Sequence, residues 1–260
     1  MKSPKEIAEE ALDTFILKGG QSATKIFVLA FLAGVFISFG SNLAILISLG
    51  LEKFSFGFSR FLAGSAFSFG LILIFLTGAE FFSANTLMII PLAKKEITKR
   101  QFLKSLAVSW VGNFIGCLTF SFLIFYSGIY NNIASYGFEI ASNKVSLSFL
   151  EAFLRGLAGN CLICLAVWLS LAGTNMLEKI VGIYIPSMLF FASGFEDSIA
   201  NMFFIPLGIL LKDFVVQQSN LSILTFFLNN LLPVTIGNII GGIFLGLIYY
   251  YLYLKEEVIL

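Results

Sequence analysis

The feature that most constrains this chain is an eight-residue pattern that occurs twice inside long apolar stretches. Residues 78–85 read GAEFFSAN and residues 194–201 read GFEDSIAN, so both fit G-x-E-x-x-x-A-N. A proline follows each copy, at Pro91 and Pro206. An acidic residue in the middle of a membrane helix costs roughly 2.5–3.5 kcal/mol on translocon scales. Two such interruptions at matching places in two halves predict broken helices that enclose a solute site at the middle of the bilayer.

The composition indicates that the chain is a membrane protein. It is 58% hydrophobic and only 12% charged, whereas soluble domains carry about 25% charged residues. The excess apolar surface must face lipid, so membrane lipid is an expected partner. The formal net charge of +1 gives no electrostatic reason to expect nucleic acid as a partner.

Six apolar stretches are long enough to cross a bilayer, which takes about 20 residues. They cover 26–49, a stretch from 61 that breaks near Gly78, 102–126, 149–171, a stretch from 180 that breaks near Gly194, and 221–253. Short connections predict one transmembrane domain over 1–260. Within it, 19–132 form the first repeat and 147–255 the second.

The N-terminal segment, 1–18, differs from these stretches because charges alternate with apolar residues. The apolar residues fall on one helical face and are Ile7, Ala8, Ala11, Leu12, Phe15 and Ile16. This pattern predicts an amphipathic helix along the membrane surface rather than a cleavable signal peptide.

The distribution of Lys and Arg predicts the orientation. Six spans place both termini on one side, together with 11 of the 16 basic residues, and leave five on the other side. The positive-inside rule then places both termini in the cytoplasm. We therefore expect a multi-pass protein of the inner (cytoplasmic) cell membrane.

A second repeated pattern supports two related halves. The third stretch contains GNFIG at 112–116, and the sixth contains GNIIG at 237–241, 125 residues later. We also pair Asn42 with Asn160, 118 residues apart. A unit of three spans carries the chain to the opposite side of the membrane. Its second copy therefore begins on that side, and the two halves are inverted relative to each other. The G-x-x-x-G spacing predicts close helix contact.

The breaks themselves predict an anion-favouring site. Each second fragment exposes unpaired N–H groups and about half a positive charge at its N-terminus. We expect Ser83 and Asp197 near these ends, either as N-caps or facing the pore. Glu80 and Glu196, equivalent in the two halves, are expected to have a structural role. The same role is expected of the signature asparagines Asn85 and Asn201.

Two further polar residues are candidates. Lys144, just before the fourth span, either attracts anions at a pore mouth or snorkels to the interface. Asn160, at the middle of the fourth span, either pairs between helices or offers a donor to a solute.

The remaining chemistry-bearing residues predict no catalysis. Cys161 and Cys164 are spaced C-x-x-C, but no partner ligands lie nearby and the chain has no histidine. We therefore interpret them as packing residues and expect no metal and no cofactor. The sequence offers no nucleophile–base pair, so an enzyme is not expected.

With these motifs in view, the chain resembles the formate/nitrite transporter family over nearly its whole length. The most specific match is SGFEDSIANMFFIP at 193–206, which is similar to the family signature on the broken fifth helix. TGAEFFSANTL at 77–87 is similar to the loop that breaks the second helix, and EAFLRGLAGNCLICLAVW at 151–168 to the fourth helix. The resemblance implies an all-α, aquaporin-like protomer of six transmembrane helices in two inverted three-helix repeats. It also implies a homopentamer in which each protomer passes formate, nitrite, hydrosulfide or a related small monovalent anion.

The resemblance also implies roles for individual residues. Lys144 matches a lysine of the fourth helix that attracts the anion, and Ser83 stands where the family usually has a threonine. Two constrictions are implied, an outer one formed by Phe67 and Phe190 with Asn160, and an inner one formed by Leu71, Phe81, Phe82 and Ile163.

One position departs from the family pattern. Asp197 stands where the family has the histidine proposed to share a proton with the anion. Burial disfavours the charged form of a carboxyl, while backbone amide donors favour it, so both states stay open. A protonated Asp197 predicts a channel for formate or another small monovalent anion, with proton coupling as one option. The alternatives are a nitrite or hydrosulfide channel of the same fold, or a pore for neutral or cationic solutes.

Overall fold

The computed structural model describes residues 2–216 and 219–255, and every regular element in these ranges is a helix. The α-helices are α1 (Pro4–Gly19), α2 (Ala23–Ser48), α3 (Phe56–Thr77), α4 (Phe82–Asn85), α5 (Ile89–Ala93), α6 (Lys99–Tyr126), α7 (Ala134–Val145), α8 (Phe149–Ala172), α9 (Met176–Ala192), α10 (Ser198–Leu211), α11 (Ile223–Thr225) and α12 (Leu232–Tyr253). A 3-10 turn, Thr86–Met88, joins α4 to α5, and a π-helical turn, Phe226–Leu231, joins α11 to α12. The predicted domain also includes residues 1, 217–218 and 256–260, which lie outside the described residues.

Five helical stretches in the described chain are long and apolar enough to cross a membrane: α2, α3, α6, α8 and the continuous Ile223–Tyr253. The other crossing is divided between α9, with 17 residues, and α10, with 14. The first broken helix consists of α3 followed by the short apolar segment Phe82–Ala93. The prediction of six transmembrane helices, of which the second and fifth are broken, is confirmed.

The N-terminal helix α1 forms as predicted, and its apolar face packs against the rest of the protein. Ser3 caps it, accepting a hydrogen bond from the Glu6 amide while the Glu6 side chain accepts from the Ser3 amide. Its apolar face packs against α8, α5 and α12, and Phe15 is buried. The apolar stripe of α1 is thus covered by protein, and its position along the membrane surface stays a prediction.

One helix was missed by the sequence analysis. The connection between the third and fourth spans is not short, since it contains α7, which packs along α10. Lys144 therefore lies in the last turn of α7 and not on the fourth spanning helix α8. The resemblance had assigned it to the fourth helix, and that assignment was wrong.

Close helix contacts relate the two halves. A β-carbon at Gly116 would collide with the Phe31 carbonyl of α2, and one at Gly241 with the Leu157 carbonyl of α8. The equivalent positions on α2 and α8 are thus 126 residues apart, not 118. The pairing of Asn42 with Asn160 was wrong, and Asn42 instead accepts a hydrogen bond from the Tyr130 hydroxyl at 2.9 Å.

Candidate transport site

Both helix breaks begin at a glycine in a left-handed conformation. α3 ends at Gly78, with φ of 72°, and α9 is followed by Gly194, with φ of 79°. A side chain is strained at such φ values, so glycine is the residue that allows the chain to leave the helix there. The next fragments begin at Phe82 and Ser198, within a residue of the predicted positions.

Two asparagines missed by the sequence analysis hold these breaks in place. Asn113 of α6 accepts a hydrogen bond from the Phe82 amide at 2.9 Å and donates to the carbonyls of Ala30 and Glu80 at 2.8 and 2.9 Å. Because helix ends leave unpaired N–H and C=O groups, one side chain with both functions satisfies them inside the membrane. Asn113 thus ties the first break to α2 and α6.

Asn238 of α12 does the same for the second break. It accepts from the Ser198 amide at 2.9 Å and donates to the carbonyls of Gly156 and Glu196 at 2.9 and 3.1 Å. Both asparagines belong to the repeated G-N-x-I-G pattern. That repetition was the signal that could have identified them, but it was interpreted only as helix packing.

A buried Lys–Glu–Asn triad lies beside each break. Lys18 donates to Glu80 at 3.0 Å and to Asn85 at 3.2 Å, and Asn85 donates to Glu80 at 2.8 Å. Lys18 comes from α1, so the sequence analysis, which expected a surface helix, gave it no role. Its ammonium group neutralises a glutamate that is 1% exposed.

The second triad repeats this arrangement with Lys144. Its ammonium group donates to both carboxylate oxygens of Glu196 at 3.0 Å, and Asn201 donates to Glu196 at 2.6 Å. The Lys144 ammonium also lies 5.1 Å from the Phe204 ring centroid. Lys144 is therefore ion-paired rather than a free snorkelling lysine.

Ser83 and Asp197 meet where the two second fragments begin. The Ser83 hydroxyl donates to one carboxylate oxygen of Asp197 at 2.5 Å, and the other oxygen accepts from the Ala200 amide at 3.1 Å. Asp197 is thus the N-cap of α10, which is one of the two roles predicted for it. Ser83 is not a cap, because α4 is capped at Phe81 without a side-chain hydrogen bond. The contact brings both electropositive helix ends together.

Asn160 completes the polar cluster. Its amide nitrogen donates to the carbonyls of Ser83 and Asn238 at 3.1 and 2.6 Å and to the Thr86 hydroxyl at 3.2 Å. Its side-chain oxygen is buried and has no hydrogen-bond partner among the described residues. Asn160 therefore pairs between helices and also keeps one acceptor free beside Ser83.

The residues named for the two constrictions are all buried in one apolar cluster. Phe67 lies against Phe190, with ring centroids 5.5 Å apart, and against Phe191 at 4.8 Å. The structure brings Phe67 and Phe190 together but does not place Asn160 with them by any described contact. The inner set, each at most 3% exposed, is Leu71, Phe81, Phe82 and Ile163.

A cavity of about 470 Å³ opens on the side opposite α1. Lys144 and Glu196 line it, together with Phe191 and Phe204. Phe191 also contacts Phe67, so the cavity ends beside the aromatic residues that were expected to form the outer constriction. It has the position of a vestibule to the site.

The cysteines occupy packing positions. Cys161 donates to the Gly241 carbonyl at 3.4 Å, and Cys164 is buried beside the Ser83 carbonyl at 3.7 Å. No group of three metal-ligating side chains occurs in the described parts of the chain.

The fold consists of two inverted three-helix units, each with one broken helix and a Lys–Glu–Asn triad beside the break. This arrangement defines a membrane transport protein with an aquaporin-like protomer. The family model described as formate/nitrite transporter matches residues 5–252. The chain belongs to this family, and the resemblance noted in the sequence is confirmed. Membership places it among transporters and not among enzymes.

Individual relatives agree over nearly the full length. The chain is 37% identical to the formate channel FocA of Escherichia coli strain K12, with 98% of this chain and 95% of FocA covered. It is also 37% identical to a probable formate transporter of Methanothermobacter thermautotrophicus, with 98% of each covered. A solved pentameric formate channel with formate bound superposes with a TM-score of 0.81 at 31% identity, covering 90% of this chain and 98% of that one.

Proposed function

We propose that this protein is a channel for small monovalent anions or their conjugate acids, with formate as the main substrate. The observation that carries the proposal is the contact between Ser83 and Asp197 at the N-terminal ends of two membrane-embedded helix fragments. Two convergent helix N-termini favour an anion, while the carboxyl supplies an exchangeable proton. The formate channels and the probable formate transporter among its relatives support formate over other anions.

The anion path runs from the vestibule to the opposite side of the membrane. Lys144 attracts the anion, which then passes between Phe67 and Phe190. It reaches the chamber formed by Ser83, Asn160 and Asp197. It leaves through the apolar inner constriction, formed by Leu71, Phe81, Phe82 and Ile163.

Asp197 provides the proton for the middle of this path. Taking an ion out of water costs several kcal/mol even after relaxation, and neutralising formate avoids much of that cost. A protonated Asp197 donates its proton or a hydrogen bond to formate, in the role that the resemblance assigns to histidine. An ionised Asp197 repels the anion, and its hydrogen bond from Ser83 then keeps the chamber closed.

The oligomeric state and the membrane location are proposed from a solved relative and from the distribution of basic residues. A homopentamer is proposed because the matching solved channel is pentameric. The distribution of basic residues supports an inner-membrane protein with both termini in the cytoplasm. Residues 1–260 act as one transmembrane domain, with repeats over 19–132 and 147–255.

The test is formate uptake into proteoliposomes over a series of pH values, with protein-free vesicles subtracted. Because protonation removes the repulsion, uptake by the wild type rises as pH falls, by up to about tenfold per pH unit, the limit for one titrating proton. D197N cannot titrate and shows a flatter profile. D213N serves as the matched control because Asp213 is exposed beyond the end of α10.

Three outcomes would contradict the proposal. A pH profile that D197N leaves unchanged removes Asp197 as the proton donor. Reversal potentials in unequal salt give the sign of the permeant ion, and a cation-selective wild type would favour a pore that uses an ionised Asp197. Faster formate uptake in D197H than in the wild type would indicate that nitrite, hydrosulfide or a neutral solute is the main substrate.

A further inference from the structure

The vestibule contains more positive charge than Lys144 alone provides. Its charged lining residues are Arg60, Lys144, Arg155, Glu52 and Glu196. Lys144 is held in an ion pair with Glu196. Arg60 and Arg155 form no ion pair within 4.0 Å among the described residues, so two guanidinium groups face one exposed glutamate, Glu52.

Arg60 is held in a defined position at the second break. Its Nε donates to the Ala192 carbonyl at 2.9 Å, and one terminal nitrogen donates to the Phe191 carbonyl at 3.4 Å. These carbonyls end α9, where a helix carries about half a negative charge that repels anions. Arg60 cancels that charge. The described hydrogen bonds use two of its five N–H donors, which leaves donors for a ligand in the cavity.

Arg155 brings a second guanidinium to the same cavity. Its backbone carbonyl accepts from the Glu196 amide at 3.3 Å, which fixes its position beside the break. Its side chain is exposed and makes no described hydrogen bond. Guanidinium groups bind carboxylates and other oxoanions through two parallel hydrogen bonds, so the pair suits a ligand with more than one anionic oxygen.

The cavity is large enough to bind an anion that cannot pass the aromatic rings beyond it. At about 470 Å³ it holds roughly 15 water volumes at about 30 Å³ each, which is enough for a hydrated dianion. The Phe67 and Phe190 rings beyond it require removal of that water. Desolvation cost rises with the square of the charge, so a dianion enters the vestibule but does not pass the rings.

We propose that Arg60 and Arg155 form an anion-capture site in the vestibule that concentrates carboxylates and is blocked by divalent oxoanions. This inference rests on the proposed function, since it concerns entry into the same pore. Capture takes place only on the side opposite α1, so the block is one-sided.

The experiment measures formate uptake into proteoliposomes that carry the protein in one orientation, with malonate added first outside the vesicles and then trapped inside them. Malonate blocks the wild type from one compartment only. R155Q, which removes an exposed side chain without described contacts, and R60Q each raise the half-blocking concentration at least about tenfold, equivalent to about 1.4 kcal/mol. R60K keeps part of the block because it keeps the charge. K53Q is the matched control, since Lys53 is exposed on the same side and does not line the cavity.

Malonate binding to the detergent-solubilised protein, measured by calorimetry, gives a readout independent of transport. Binding weakened in R155Q and R60Q but not in K53Q supports the site. Equal block from both compartments, or binding that R155Q and R60Q leave unchanged, overturns it. A wild type without formate uptake but with Arg-dependent malonate binding overturns the proposed function and leaves the capture site standing.

Discussion

Replacing Asn238 with alanine is expected to prevent stable folding of this protein. The substitution leaves the Ser198 amide and the Glu196 carbonyl without their partners inside the membrane, and it removes a second hydrogen bond to the Gly156 carbonyl of α8. Each buried group left unsatisfied costs roughly 1–3 kcal/mol. Two such groups cost roughly 2–6 kcal/mol, which is comparable with the lower part of the roughly 5–15 kcal/mol that stabilises a whole domain. The measurements are the yield of monodisperse protein after size-exclusion chromatography and its apparent Tm in detergent.

The internal repeat provides a second test of the same claim. N113A removes the equivalent bonds to Phe82, Ala30 and Glu80, so it is expected to lower the yield and Tm to a similar extent. N132A is the control, because Asn132 is exposed and its side chain makes no described hydrogen bond. If N238A and N113A behave like N132A, these asparagines do not hold the breaks together.

Replacing Lys144 with methionine is the second change with a large expected effect. It leaves the Glu196 carboxylate, 5% exposed, without its positive partner. Removing one member of a buried ion pair costs about 3–5 kcal/mol, so K144M lowers the Tm strongly and formate uptake with it. The cause is the uncompensated charge rather than the lost lysine alone.

A double-mutant cycle separates these two causes. K144M/E196Q removes both charges and is expected to recover most of the stability lost in K144M. Uptake stays low in the double variant, because no ammonium group attracts the anion. K53M controls for loss of a basic residue on the same side. If the double variant is as unstable as K144M, the charge pair is not what Lys144 contributes.

The sequence located the helix breaks almost to the residue. Gly78 and Gly194 were identifiable because a glycine beside a carboxylate inside an apolar run is a local mark of interrupted helix. The cap at the first break was not identifiable in this way. Ser83 was expected either to cap the fragment or to face the pore, but the Phe82 amide is satisfied by Asn113, 31 residues further along the chain. No local pattern records a partner at that distance.

The errors on Asn42 and α7 and the missed packing of α1 have a related origin. Asn42 and Asn160 look alike in sequence, but helix contacts set the true offset between α2 and α8 at 126 residues. The amphipathic pattern of α1 showed that one face would be covered and did not show by what. Lys18 therefore gained a role only when α1 was seen to pack beside Glu80.

The sequence by itself determined that this protein lies in a membrane and how many times it crosses it. It also determined the positions of both helix breaks and the family. Hydrophobic length and backbone preference act along the chain, so they can be read along it. Only the tertiary structure decided which groups satisfy the broken helices, that Ser83 meets Asp197, and that Arg60 covers the end of α9. Buried polar groups must find partners wherever the fold brings donors and acceptors together, and residues far apart in sequence supply them here.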